Sequence, residues 1–399
     1  MASLPFDLPL HTQRVTPSSP ETKIRLSLLA TAMVDALGGP AEFRPRFSFD
    51  FISALLPNDN FGLPPGVWTD DTSMTLCLAR SLATVGAFDE GDQLDAYLEW
   101  WSSGTLSATG ECFDIGNTTQ RALSIYEDAR NEVVGRRKAG IRQLVRKVAN
   151  RRNTLTQAEK SEAAAIALPR IRENMSGESC GGNGSLMRVL PVALAYWRDA
   201  GVAQAFARRS SETTHPNPAC AEACEVWTGA IARVLQAATT PGASLTKLDV
   251  LHYFATFPYV TDPLRAALAS DVAFGPSQSN VDIAPEEMEA HYAEHHRLLR
   301  LRHAMLAALP RPPVTPHDLA SLLPTAEALQ SKGYVVYTLV AALYAFLATQ
   351  TFEDGAMLVV NMGSDADTVG AVYAGLAACW YACADCGAAE TGLFWTTRV

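Results

Sequence analysis

Apolar residues recur three and four positions apart along most of this chain, and no other feature of the sequence limits its fold so strongly. This spacing places apolar side chains on one face of an α-helix. Runs of alternating β-branched residues, which are typical of strands, are scarce. The pattern therefore predicts an all-α fold, with helices over residues 24–37, 73–85, 186–199, 219–237 and 334–348.

The two ends of the chain differ in composition. The first 22 residues are rich in Pro, Ser and Thr, which predicts a flexible N-terminal arm over residues 1–22. No break in composition follows, so residues 23–399 are predicted to form one domain. The arm has no basic stretch followed by an apolar run, so we expect a cytoplasmic location. Residues 333–352 carry no charge but contain several Tyr and Thr, and we expect a buried helix there rather than a membrane span.

The charge balance bears on the partners of this protein. Lys and Arg number 32 and Asp and Glu number 42, which gives a formal net charge of −10. An acidic chain without a long basic arm argues against nucleic acid as the main partner. The balance suits a protein that holds divalent cations on carboxylates.

The first acidic segment is Thr69-Asp70-Asp71, directly before a predicted helix. A single Thr or Asp at this place is typical of a helix N-cap, and that interpretation stays open. Two adjacent carboxylates beside a hydroxyl exceed what a cap needs. They are the oxygen ligands that Mg²⁺ prefers.

A second acidic segment, with Asp365, Asp367 and Thr368, also opens an apolar helix. It offers the same chemistry as the segment near residue 70, from the other end of the chain. Two metal ions about 3.5–4 Å apart need roughly this number of carboxylates. The sequence therefore predicts one shared site assembled from both segments.

Two further acids lie around a Gly-Gly-Pro break, where Asp35 precedes the break and Glu42 follows it. A negative charge in the last turn of a helix is unfavourable without a cationic partner, which suggests that Asp35 has a specific role. The alternative is a carboxylate that bonds to the backbone in a tight turn.

Three other segments carry polar groups at predicted helix starts. Asp114 lies in Phe113–Thr119, and a glycine-rich loop spans Gly181–Arg188. Closely spaced backbone N–H groups in such a loop can bind phosphate oxygens. His215 precedes another helix, where it is either structural or in contact with a phosphate.

Taken in order, these segments resemble the ADP-ribosylglycohydrolase family, which includes the dinitrogenase reductase-activating glycohydrolases and the ADP-ribosylhydrolases. The resemblance runs from residue 23 to residue 381 and rests on WTDDTSM, DIGNTT, GGNGSLMR, the Thr-His pair and GSDADTVG. It implies a single-domain orthogonal helical bundle. It also implies a central cleft that holds two divalent cations, Mg²⁺ or Mn²⁺.

The resemblance also implies roles for individual residues. The metal ligands would be Thr69, Asp70, Asp71, Asp365, Asp367 and Thr368. The catalytic acids would be Asp114, which acts on the ribose, and Glu42 on a mobile flap, with Asp70 and Asp71 acting through the metals. The substrate would be bound by Asn183, Gly184, Ser185, His215 and Asp35.

The implied activity is metal-dependent removal of mono-ADP-ribose from a modified protein, with ADP-ribose as product. Arginine is the expected attachment site, because DIGNTT and GNGSLMR resemble the arginine-directed branch. The alternatives are hydrolysis of ADP-ribosyl-serine or O-acetyl-ADP-ribose, and a catalytically silent ADP-ribose-binding or immunity protein. Two features depart from the family pattern, namely Val34 in place of a glycine and the tail after Tyr381.

Overall fold

The all-α prediction is confirmed by the computed structural model, which describes residues 8–144, 155–272, 284–308 and 316–383. This part of the chain contains fifteen α-helices and no strand. The helices are α1 (Pro20–Gly38), α2 (Asp70–Val85), α3 (Glu90–Ser103), α4 (Asn117–Leu144), α5 (Gln157–Met175), α6 (Leu190–Tyr196), α7 (Ala200–Glu212), α8 (Pro218–Thr239), α9 (Lys247–Thr256), α10 (Asp262–Leu268), α11 (Pro285–His295), α12 (Arg297–Ala308), α13 (Val335–Ala348), α14 (Phe352–Val360) and α15 (Ala366–Tyr381).

Four of the five helices named from the sequence match the observed helices closely. The exception is the stretch 186–199, where the helix α6 covers only Leu190–Tyr196. The residues before it form a turn in which the Asn183 carbonyl accepts hydrogen bonds from the N–H groups of Leu186 and Met187. The helix predicted from the apolar stretch 186–199 was therefore too long, because the first residues of that stretch belong to the glycine-rich loop.

The centre of the bundle is α15, which is buried from Ala366 to Trp380. The helices α1, α8, α13 and α14 pack around it. The charge-free stretch 333–352 contains α13, in which every residue except Tyr337 is buried. None of the described helices is both long enough and apolar enough to cross a membrane.

The segment before α1 lies against the bundle where the structure describes it. Leu10 and Val15 are buried, and the N–H of Val15 donates to the Leu245 carbonyl. The N–H of Thr16 donates to the carbonyl of Trp380, at the end of α15. This part of the arm differs from the flexible segment expected over 1–22, because apolar side chains anchor it; residues 1–7 lie outside the described residues.

Two buried lysines close the C-terminal ends of central helices. The Lys23 Nζ donates to the carbonyl of Trp380 at the end of α15, over 3.1 Å. The Lys247 Nζ donates to the carbonyls of Phe346 and Thr349 at the end of α13. Amino groups that donate to the free carbonyls of a helix end satisfy the hydrogen bonds that the helix itself leaves open. Polar contacts therefore fix the ends of the two most buried helices.

The end of α1 packs directly on the first turn of α15, and two glycines permit the contact. A Cβ atom on Gly38 would lie 2.5 Å from the Cα of Asp367. A Cβ atom on Gly370 would lie 2.9 Å from Cγ1 of Val34, the residue that departs from the family pattern. This packing brings the loop after α1 next to the second acidic segment.

We expect Gly38→Ala to destabilise the protein by about 1–3 kcal/mol, because the added methyl group meets backbone that cannot move aside. Thermal or denaturant unfolding measures the change. The matched control is Gly135→Ala on α4, where an added Cβ meets nothing within 4 Å. In the control, the free energy of unfolding should stay equal or rise. Equal stability of both variants would contradict the packing described here.

Candidate active site

Both acidic segments lie at the N-terminal ends of helices. Thr69 is the N-cap of α2 and Asp70 is its first residue, while Asp365 is the N-cap of α15. Neither N-cap side chain accepts a capping hydrogen bond from a backbone N–H of its own helix. The simple capping interpretation therefore does not account for these side chains, and they are available for other contacts.

A hydrogen bond between side chains joins the two acidic segments. The Thr368 Oγ1 donates to Oδ2 of Asp71 over 3.2 Å, and the Thr69 Oγ1 lies at the same distance from that oxygen. Thr69 and Asp71 are buried, whereas Asp70 is half-buried and lines the cleft described below. The structure thus brings together all six residues that the sequence grouped as metal ligands.

Three carboxylates from distant parts of the chain also converge. One oxygen from each of Glu42, Asp114 and Asp367 lies within 4.8 Å of the other two. Glu42 follows the short 3-10 turn Gly39–Ala41 at the end of α1, and Asp114 lies in the loop before α4. Together they offer the oxygen donors that a hard cation requires.

These acids line a cleft of about 250 Å³. Its walls combine carboxylates, small polar residues and glycines, and only a few larger apolar side chains. The lining residues are Glu42, Phe43, Asp70, Asp114, Gly116, Asn117, Thr118, Thr119, Gly182, Asn183, Gly184, Met187, His215, Gly333, Asp365, Asp367 and Thr368.

Burial and mutual repulsion disfavour the charged forms of the acids. Burial, followed by the charges of Asp367 and Asp114, raises the pKa of Glu42 to about 11. Burial, followed by the charge of Asp114, holds the pKa of Asp70 well above its usual range. Burial, followed by the charge of Asp365, does the same for the pKa of Asp367. So many carboxylates in one buried place lack the positive charge that would balance them.

Individual carboxylate oxygens of this cluster also lack partners. The Glu42 Oε2, Asp71 Oδ1 and Asp367 Oδ1 are buried and have no hydrogen-bond partner. No ion pair formed within the described part of the chain includes a carboxylate of this cluster. Buried charges are normally paired or bound to metals. The donor set therefore fits divalent cations.

Asp35 does not lie where it could contact the substrate, in contrast to what the family resemblance implies. It is fully buried and does not line the cleft. Its carboxylate accepts hydrogen bonds from the N–H groups of Thr69 and Thr72 and from both hydroxyls, over 2.6–3.2 Å. Asp35 thus caps α2 from a neighbouring helix. Its geometry supports a positioning role, because it orients the segment that carries Asp70 and Asp71.

The glycine-rich loop contributes some of its expected residues to the cleft. Asn183 and Gly184 line it, and Asn183 Nδ2 donates to Asp365 and, over 2.8 Å, to Oγ1 of Thr338. Ser185 does not line the cleft, in contrast to the expectation. It is buried with its hydroxyl accepting from Ser211 over 2.8 Å, because the loop turns inward after Gly184.

His215 lines the cleft beside this loop. Its Nδ1 lies 2.8 Å from the Thr214 hydroxyl, and burial together with the charge of Arg188 lowers its pKa to about 3. The imidazole is therefore neutral at physiological pH. A Cβ atom on Gly184 would approach the imidazole Cε1 to 3.0 Å, so a glycine allows the loop to lie against this ring.

The loop that carries Glu42 is held in place by contacts that the sequence did not indicate. The N–H of Phe43 donates to the carbonyl of Ser364 over 2.6 Å, and the N–H of Ser364 donates to the carbonyl of Arg44 over 2.8 Å. Buried Arg46 donates to backbone carbonyls of two other segments, at Met362 and at Leu329. The loop is therefore tied to the residues that lead into Asp365.

Sequence reasoning also missed several residues of the cleft wall. Gly333 lines the cleft and its carbonyl accepts a hydrogen bond from the Asn183 N–H over 3.1 Å, but no acidic or glycine-rich motif surrounds it in the sequence. Met187 was quoted only as part of the glycine-rich motif. Phe43 directly follows Glu42, and this position next to a predicted catalytic acid was the only sign in the sequence that Phe43 lines the cleft.

We expect Asp35→Asn to lower the free energy of unfolding by roughly 1–3 kcal/mol, because the amide nitrogen would face N–H and O–H donors. Activity should fall as well, since the start of α2 would shift. Thermal unfolding and turnover of a chromatographically pure variant measure both effects. The control is Asp50→Asn at an exposed position. An Asp35 variant as stable as this control would exclude the capping role.

Comparisons with known proteins indicate the family to which the chain belongs. The chain is 25% identical over 385 residues to ADP-ribosylarginine hydrolase Tri1 of Pseudomonas putida (strain GB-1), covering 95% of this chain and 76% of that protein. It is 27% identical over 362 residues to the protein of the same name from Serratia proteamaculans (strain 568), covering 90% and 71%. It is 24% identical over 359 residues to ADP-ribosyl-[dinitrogen reductase] glycohydrolase of Rhodospirillum rubrum, covering 89% and 84%.

A solved structure described as an ADP-ribosylglycohydrolase-related protein complex is similar as well, with a TM-score of 0.54, 27% identity and coverage of 95% of each chain. The model of the ADP-ribosylglycohydrolase family matches residues 16–385. That range includes both acidic segments, the glycine-rich loop and His215. The chain therefore belongs to the ADP-ribosylglycohydrolase family, and it is a hydrolase of glycosidic bonds.

Proposed function

We propose that this protein removes mono-ADP-ribose from arginine side chains of modified proteins, in a reaction that depends on divalent cations. The observation that carries the proposal is the convergence of buried, unpaired carboxylates in a cleft that also contains a glycine-rich loop and a neutral histidine. Two relatives named as ADP-ribosylarginine hydrolases support arginine as the attachment site.

The cations would be held by the two acidic segments. The six residues implied by the family resemblance lie together, and unpartnered buried oxygens of Asp71 and Asp367 are free to bind. When bound, Mg²⁺ or Mn²⁺ polarises oxygen ligands and lowers the pKa of a coordinated water. Asn183 orients Asp365 for this role through its side-chain hydrogen bond.

The remaining cleft residues suit the other parts of the substrate. The backbone of Gly182 and Gly184 is open to a diphosphate, since neither residue has a side chain that would cover it. The neutral imidazole of His215 can form a hydrogen bond with the nucleotide without placing a charge in the cleft. The ADP part of the substrate would therefore lie along the glycine-rich loop.

Glu42 and Asp114 are the acids assigned to the bond that breaks. Their carboxylates lie close together in the cleft, within reach of the same small volume. One carboxylate oxygen can accept the proton of the attacking water while the other carboxylate stabilises the positive charge that develops at the ribose carbon. The departing guanidine takes a proton from a carboxylic acid or from water.

The function is tested by incubating the protein with two matched peptides that carry ADP-ribose on arginine or on serine, with Mg²⁺ and with EDTA. We expect release of ADP-ribose from the arginine peptide with Mg²⁺ alone. Release from the serine peptide alone would overturn the choice of substrate. Binding of ADP-ribose without release from either peptide would indicate a silent binding protein instead.

Cation binding has an expected effect on stability that is independent of activity. Ions at about 100 times their Kd should stabilise the wild-type protein by about 2.7 kcal/mol relative to the EDTA-treated protein. Asp367→Asn removes one crowded carboxylate, so its EDTA-treated form should unfold at a higher temperature than the wild type but gain little from added ions. Thermal unfolding with and without Mg²⁺ or Mn²⁺ measures both effects.

The control for this experiment is Asp59→Asn, which changes an exposed acid and should behave as the wild type in both conditions. An Asp367 variant that keeps the full response to added ions would count against the assignment of this residue as a ligand.

A further inference from the structure

Three phenylalanine rings form a row, and one of them, Phe43, lines the cleft. The ring centroids of Phe43 and Phe61 are 6.3 Å apart, and those of Phe61 and Phe113 are 5.4 Å apart. Phe43 directly follows Glu42, and Phe113 directly precedes Asp114. The row therefore lies beside two of the three carboxylates that converge in the cleft.

The backbone of Phe43 is held in an unusual conformation. Its φ angle is 62°, in the left-handed region that bulky side chains rarely adopt. The paired backbone hydrogen bonds with Ser364 maintain this conformation. As a result the ring stays 68% exposed and lines the cleft instead of entering the core. Strained residues of this kind cluster where a protein contacts its ligands.

The glycine-rich loop contacts the acidic residues of the cleft at a different point, through the hydrogen bond between Asn183 and Asp365. A substrate whose diphosphate lies on this loop and whose distal ribose reaches the acids has its attached side chain beyond them. The open ring at the mouth of the cleft is that of Phe43. The leaving group would therefore pass this ring.

We propose that Phe43 is a specificity-determining residue that receives the guanidinium group and aliphatic stem of the modified arginine. This inference rests on the proposed function and extends it. A planar cation over an aromatic face gains an electrostatic attraction that a neutral serine linkage does not. The ring accepts no strong hydrogen bond, so it favours the cationic side chain without competing for protons at the acids.

The test uses Phe43→Leu, which keeps an apolar side chain but removes the aromatic face. The matched control is Phe47→Leu, because Phe47 also has a positive φ (65°) and is 62% exposed, but it does not line the cleft. Phe43→Trp restores an aromatic face. Steady-state kinetics with the arginine-linked peptide, and competition by ADP-ribose and by the serine-linked peptide, are measured for all variants in the presence of Mg²⁺.

For Phe43→Leu we expect the KM for the arginine-linked peptide to rise roughly tenfold while kcat stays within about twofold of the wild type. The inhibition constants of ADP-ribose and of the serine-linked peptide should not change. Phe47→Leu and Phe43→Trp should keep the wild-type KM. Circular dichroism and thermal unfolding establish that each variant is folded.

An unchanged KM in folded Phe43→Leu would overturn the inference and leave the proposed function standing. Equally weakened binding of the arginine-linked peptide, the serine-linked peptide and ADP-ribose would also overturn it. The ring would then contact the ADP-ribose part that all three share. If the wild-type protein releases nothing from the arginine-linked peptide, the proposed function fails, and the inference fails with it.

Discussion

The contact between the end of α1 and the beginning of α15 is the constraint on which the rest of the site depends. Gly38 lets the two backbones approach so closely that no side chain fits between them. This approach sets how far Glu42, which follows α1, lies from Asp367 in the first turn of α15. Asp35, three residues before Gly38, then orients α2 through its bonds to Thr69 and Thr72. One packing contact therefore aligns acids from both ends of the chain.

The cluster of acids works against the stability of the fold. Burial and like charges disfavour the ionised carboxylates, and unpartnered oxygens remain on Glu42, Asp71 and Asp367. The apolar packing around α13 and α15 and the buried lysines at their ends oppose this repulsion. Proteins commonly tolerate such local conflict at functional sites, where the same groups are needed to bind a charged ligand.

The loop after α1 combines two tasks. Hydrogen bonds from Arg46 to Met362 and between the loop backbone and Ser364 hold the loop against the segment before Asp365. The same restraint keeps Glu42 inside the cleft and Phe43 at its mouth. The loop thus places an acid and an aromatic ring side by side, and the two can act on neighbouring parts of one substrate.

The sequence by itself determined the helical fold, the position of both acidic segments at helix starts and the presence of a loop at the glycine-rich segment. These features depend on residue type and short-range spacing, which a helix converts directly into a face or an end. Only the tertiary structure decided that Asp35 caps α2, that Ser185 turns inward, that residues 8–19 lie on the bundle and that Phe43 has a positive φ. Each of these depends on contacts between segments far apart in the chain, and local spacing carries no information about how two distant helices approach each other.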